Sequence, residues 1–234
     1  MTAATEIERE INATISQQWN TRVGQQIPDS ETILLAGGAV EIDATFLYAD
    51  LAKSSLMAKE LDRRVAAKIL KSFHSSTARL IRANSGKIVS FDGDRILGVF
   101  HGATKNSDAA KCALQINWAV QKIRQIFEAR YDAVKSASFR ISHGVGVDTG
   151  TVLTVRAGAR GANDLIWIGR PPNLAAKLSD LRNVHSTHIT ETVFNKLMDS
   201  SKLANDGRLM WERCTWPFLG ETLVLYRSNW TWSP

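Results

Sequence analysis

The 234-residue chain has little cysteine, no apolar run long enough to span a membrane, and neither an internal repeat nor a low-complexity tract. Two cysteines, Cys112 and Cys214, are too few for a metal cluster or a disulfide framework, so a reducing, cytoplasmic setting is expected. The missing apolar run argues against a membrane partner, and an N-terminus carrying Glu6, Glu8 and Glu10 does not read as a signal peptide. Also missing are a Gly-rich phosphate loop with its lysine, a Ser-His-Asp arrangement and the aromatic motif of RNA-recognition modules. Of the five histidines, His74, His101, His143, His185 and His188, only the last two lie at close spacing, on a segment without pattern.

What is present is a basic balance and a patterned core. Lys and Arg total 29 against 23 Asp and Glu, for a net charge of +6. That excess favours an anionic partner, a nucleotide or a nucleic acid, although scattered cations also suit a plain solvated surface. The length is enough for one mixed domain with a full core and terminal additions. Residues 1–36 read as a separate helical extension, because Ile7, Ile11, Ile15 and Trp19 recur at i+4 before a break at Gln25-Gln26-Ile27-Pro28-Asp29. Such a helix suits packing on the core or on a partner subunit.

Residues 37–234 follow as the main domain. The run Thr45-Phe46-Leu47-Tyr48-Ala49 reads as a strand. One long helical pattern then carries Met57, Leu61, Val65, Ile69 and Phe73 on a single face and ends near Asn84-Ser85-Gly86. Lys87-Ile88-Val89-Ser90-Phe91 and Arg95-Ile96-Leu97-Gly98-Val99-Phe100 form a hairpin about Asp92-Gly93-Asp94. A second helix opens at Ser107-Asp108, and a second hairpin is expected from 139–147 and 152–155 around Asp148-Thr149-Gly150. A strand at 165–168 stops at Pro171-Pro172 before a helix from Asn173, and short strands are expected at His188-Ile189 and near 222–226. Strand, helix, hairpin, helix, strand is the ferredoxin-like α+β order, a sheet covered on one face by helices. Trp211, Trp216, Trp230 and Trp232 crowd the C-terminal region, where core filling or a dimer contact outweighs base stacking.

Two acidic residues sit where strands hand over to turns: Asp50 after Ala49, and Asp94 at the hairpin tip. If those strands are neighbours, two hard oxygen ligands converge, which suits Mg²⁺ or Mn²⁺ held together with substrate phosphates. Taken singly, Asp50 is equally a helix cap and Asp94 a turn residue.

Four ordered motifs resemble the catalytic domains of class III nucleotidyl cyclases over roughly residues 40–226. They are Phe46-Leu47-Tyr48-Ala49-Asp50-Leu51, Ser90-Phe91-Asp92-Gly93-Asp94, His143-Gly144-Val145-Gly146-Val147-Asp148-Thr149-Gly150 and Ile168-Gly169-Arg170-Pro171-Pro172-Asn173-Leu174-Ala175-Ala176-Lys177-Leu178. The resemblance implies two metal ions, Mn²⁺ or Mg²⁺, held by Asp50, Asp94 and the backbone carbonyl of Leu51. They would promote in-line attack of the ribose 3′-hydroxyl on the α-phosphate with loss of pyrophosphate. It further implies phosphate contacts from Ser54, Ser55 and Lys53, and ribose and phosphorus contacts from Asn173 and Lys177, the last in place of the family's arginine. In the family those two residues act across a subunit boundary, which implies a homodimer with shared sites.

At the base the sequence departs from adenylate cyclases. Their purine-reading lysine falls at Ser90 and their aspartate at Ile166, which accepts no hydrogen bond from an adenine amino group. The stretch from Arg160 to Arg170 is instead similar to the pyrimidine cyclases of bacterial Pycsar anti-phage systems. That similarity implies UTP, or else CTP, as substrate, cyclic UMP as product, and a separate effector that binds it. Arg170 and Arg95 are candidates for the base edge, and Tyr48 for packing under the ribose. A nucleic-acid-binding module and a cyclase homologue without activity remain as readings of another class.

Overall fold

The computed structural model describes residues 2–159, 162–182 and 184–234. The elements are α1 (Ala3–Ile15), β1 (Asn20–Val23), β2 (Gly38–Leu51), α2 (Ser54–Glu60), α3 (Arg63–Ala83), β3 (Lys87–Asp92), β4 (Arg95–Phe100), α4 (Lys105–Arg130), α5 (Asp132–Lys135), β5 (His143–Ala159), β6 (Ala162–Ile168), α6 (Arg170–Ser179), β7 (Thr187–Thr190), α7 (Glu191–Asn195), α8 (Asp199–Lys202), β8 (Glu212–Phe218) and β9 (Glu221–Ser228). The chain divides into two compact units, Met1–Asp43 with Thr151–Gly169, and Ala44–Gly150 with Arg170–Pro234. The expected extension, 1–36, falls within the first. No helix among the described residues is long and apolar enough to cross a membrane.

In the larger unit the strands lie in the order β3, β4, β2, β5, β7, β9, β8, with β5 and β7 parallel. Alternation along the strands sorts side chains between two faces. Leu47, Ala49 and Leu51 of β2, with Val145 and Val147 of β5, pack in the main core with Ile69 and Phe73 of α3 and Leu114 and Ile116 of α4. The residues between them, Phe46, Tyr48 and Asp50, take the other face. There α6 packs through Leu174 and Leu178 against Leu225 of β9, while the next residue, Tyr226, packs against the main core. The approach of α6 is close: a Cβ at Gly146 would stand 2.0 Å from the carbonyl oxygen of Ala175, and one at Gly144 equally close to that of Ser179. Trp211 is buried in the main core with Trp230 and Trp232 against it, and Trp216 stacks on Phe218.

Three expectations are corrected. The long helical pattern after Asp50 is two helices broken at Leu61 and Asp62. Asp62 caps α3 by accepting from the amide of Arg64 at 2.9 Å, a local bond that an apolar periodicity does not register. Asp148-Thr149-Gly150 is no turn: β5 runs straight through it. Asp148 accepts from Thr190 at 2.6 Å and Thr149 bonds Thr45 at 2.9 Å, so these polar side chains are satisfied by neighbouring strands. The helix α6 begins at Arg170, with Pro171 and Pro172 inside its first turn where their missing N–H groups cost nothing.

In the smaller unit β1 pairs parallel with β2 at Asn20↔Gly38, and β5 pairs antiparallel with β6. Helix α1 forms as its pattern predicts, yet none of its residues is buried; Ile7, Ile11 and Ile15 are exposed.

Candidate active site

The pairing of β2 with β4 places Asp50 opposite Arg95, and the Leu51 amide donates to the Asp94 carbonyl at 3.1 Å. A tight turn with Gly93 at φ +59° carries the chain from β3 to Asp94. The end of β2 and the hairpin tip are therefore stitched together, which brings Asp50 within reach of the charge of Asp94.

Asp50 is only 1% exposed. Its Oδ2 accepts from Arg182 Nη1 at 2.5 Å and lies 3.2 Å from Arg95 Nη2, while Arg95 also reaches Asp180 at 3.0 Å. Its Oδ1 is buried with no hydrogen-bond partner. Burial pushes the carboxyl of Asp50 above its ordinary range, the bond and charge of Arg182 and then the charge of Arg95 oppose this, and the nearby Asp94 adds to it. The orphaned Oδ1 of this buried carboxylate, beside a second carboxylate, is a donor that a metal ion would satisfy. The two carboxylates are hard, anionic oxygen donors, and they fit a hard divalent ion.

Tyr48 shares the Asp50 face two residues earlier and is half-buried; burial raises its hydroxyl pKa, Arg95 lowers it and Asp92 raises it again. Ser90 lies opposite Leu97, which lies opposite Tyr48, so these three form one row across β3, β4 and β2. Lys53 is exposed in the left-handed conformation, φ 59°, and Ser54 and Ser55 open α2 behind it. Asn173 and Lys177 occupy the exposed face of α6, one turn apart. Arg170 heads that helix with Nε 3.9 Å from Asp148, whose carboxyl burial pushes upward against the hydrogen bond from Thr190. Arg95, the other candidate for the base edge, is paired with Asp50 and Asp180. Ile166 is exposed on β6, opposite Val155, within the smaller unit. Arg160 and Gly161, at the head of that stretch, lie outside the described residues.

Arg182 and Asp180 escaped the sequence reading. They follow α6 with no pattern of their own, and only the fold brings them to Asp50.

Comparison with known proteins shows the family and the fold. The model of the adenylate and guanylate cyclase catalytic domain matches residues 41–212. A protein of Rhodovulum sp. (strain MB263) named uridylate cyclase is 53% identical over 92% of this chain and 91% of its own length, and one of Xanthomonas perforans with the same name is 42% identical over the same shares. Among solved structures, the guanylyl cyclase Cya2 superposes with a TM-score of 0.67 at 19% identity, over 83% of this chain and 95% of its own. The adenylyl cyclase CyaB from P. aeruginosa gives the same score at 17% identity, over 81% and 95%. The chain belongs to the adenylate and guanylate cyclase catalytic-domain family.

Proposed function

We propose that the protein is a uridylate cyclase, converting UTP to cyclic UMP and pyrophosphate. The observation that carries the reading is the backbone tie between Leu51 and Asp94 beside the buried Asp50, in a chain 53% and 42% identical to proteins named uridylate cyclase. Asp50, Asp94 and Leu51 would hold two divalent ions, Mn²⁺ or Mg²⁺, supplying activation of the ribose 3′-hydroxyl and charge neutralisation on the triphosphate. The 3′-oxygen forms its bond to the α-phosphorus as the bond to the bridging oxygen breaks, the hydroxyl proton is released, and pyrophosphate departs.

The remaining roles belong to the chain's own side chains. Lys53, Ser54 and Ser55 hold phosphate oxygens, Tyr48 packs under the ribose, and Ser90 and Arg170 bound the base, while Ile166 stands where adenylate cyclases carry their base-reading aspartate. Asn173 and Lys177 position ribose and α-phosphate from the second subunit of a homodimer. Their exposure on α6, together with the bare apolar stripe of α1, supports such a dimer. The cyclic product serves anti-phage defence in the cytoplasm through a separate effector that binds it. Incubation of purified protein with each of the four ribonucleoside triphosphates and Mn²⁺, with products separated and weighed, tests the reading. Cyclic UMP alone is expected; cyclic CMP or cyclic AMP as the sole product overturns it.

A further inference from the structure

Asp50 is gripped through one oxygen only. Its Oδ2 accepts from Arg182 Nη1 at 2.5 Å and lies 3.2 Å from Arg95 Nη2, whereas the buried Oδ1 has no hydrogen-bond partner. Arg95 in turn holds Asp180 at 3.0 Å, so Arg182, Asp50, Arg95 and Asp180 form one chain of ion pairs whose charges cancel. It joins the end of β2 and the start of β4 to the residues that follow α6. A buried carboxylate that loses its cation is left uncompensated, so Oδ2 is given up only to another cation.

The fold aims Arg182 at this oxygen. After α6 ends at Ser179, the amides of Asp180 and Leu181 donate to the carbonyls of Lys177 and Leu178 at 3.2 and 3.1 Å, which carries the helical path two residues further. Arg182 then lies over Gly144 of β5, where an added Cβ would stand 3.2 Å from its own Cβ and 2.0 Å from the Ser179 carbonyl oxygen. A side chain at 144 would push this turn off the sheet, and its absence keeps the guanidinium within reach of Asp50.

The two oxygens of Asp50 therefore differ. A carboxylate bridging two divalent ions offers one oxygen to each. As Asp50 stands, Oδ1 is open to one ion, and Oδ2 accepts a second only if Arg182 lets go.

We infer that Arg182 is a positioning residue that competes with the second divalent ion for Asp50 Oδ2, so that the ion pair fills in order, Oδ1 first and Oδ2 on release of Arg182. The inference rests on the proposed cyclase reaction, which uses both ions together. Completion of the pair, rather than arrival of the first ion, is then the step that the protein restrains.

The test counts Mn²⁺ bound per chain by the nucleotide-free, full-length protein, from the free-ion signal in electron paramagnetic resonance. Wild type, Arg182→Gln, Arg182→Lys and a control, Arg9→Gln on exposed α1, are titrated in parallel. Wild type and the control are expected to bind the second ion alike, and Arg182→Gln about tenfold more tightly, as for loss of one charge-assisted competitor. Arg182→Lys, which keeps a cation without the planar fork, is expected to fall between them, and it carries the test if the glutamine variant does not fold. A second ion bound equally or more weakly by the Arg182 variants, or by none of the four proteins, overturns the competition. UTP turnover with Mn²⁺ is measured on the same preparations. Cyclic UMP from wild type, with second-ion affinity indifferent to Arg182, overturns the competition alone. A second ion tightened by loss of Arg182, with no cyclic UMP from wild type, supports the competition and overturns the cyclase reading.

Discussion

The two faces of the central sheet are built from alternate residues of the same strands, and they differ in kind. On one, Leu47, Ala49 and Leu51 continue into the apolar layer of α3 and α4. On the other, Tyr48 and Asp50 of β2 and Asp148 of β5 are polar, and both aspartates are held almost fully from water. Burial raises the pKa of both, against hydrogen bonds from Arg182 and Thr190 respectively. One face contributes stability and the other carries desolvated groups suited to chemistry. A one-residue slip in β2 would exchange them, so the apolar face fixes the register that aims the carboxylates.

Breaking the apolar face should give the largest effect on folding. Phe73→Ala empties a fully buried ring site and is expected to cost about 3–5 kcal/mol in denaturant titrations. Turnover per folded molecule should hold. Breaking the polar face should do the reverse: Asp50→Asn is expected to lower cyclase turnover by more than about 100-fold, beyond what loss of a merely supporting group costs. Its stability should fall far less than that of Phe73→Ala, and an equal fall would erase the distinction between the faces.

The seam between sheet and α6 comes next. Gly146→Ala would set a methyl 2.0 Å from the Ala175 carbonyl, so α6 must shift. A loss of about 1–3 kcal/mol is expected in thermal unfolding, with turnover reduced because α6 carries Asn173 and Lys177. The smallest effect near neutral pH is electrostatic. His143 has its folded-state pKa pushed down to about 3, so the unfolded chain binds its proton first on acidification. Its stabilising share is present above about pH 6.5 and is lost progressively as pH falls towards 3, at roughly 1.4 kcal/mol per pH unit. On going from pH 6.5 to 5, wild type should therefore lose about 2 kcal/mol relative to His143→Leu; parallel curves would contradict the shift.

Much of the polar face was legible because short motifs carry it. Asp92-Gly93-Asp94 announces its turn, and the apolar run into Asp50 announces its strand; their pairing follows from the ferredoxin-like order. The i+4 spacing of Asn173 and Lys177 likewise survives in α6. What could not be read is whatever depends on distant partners. Asp148-Thr149-Gly150 has turn chemistry, but Thr190 and Thr45, far along the chain, satisfy its side chains and keep it a strand. Arg182 reaches Asp50 across 132 positions, and it meets Arg124 of α4 and the segment from Arg140 to His143 at one cavity. No local pattern encodes such meetings.

Mn²⁺ binding, followed by electron paramagnetic resonance in the presence of 3′-deoxy-UTP, most directly tests whether the polar face holds metal. That analogue lacks the attacking hydroxyl, so binding is read without turnover. Saturable Mn²⁺ binding by wild type, weakened at least about 100-fold in a folded Asp50→Asn protein, is expected. Equal binding by both proteins would contradict the assignment of Asp50 and, with it, the division between the two faces.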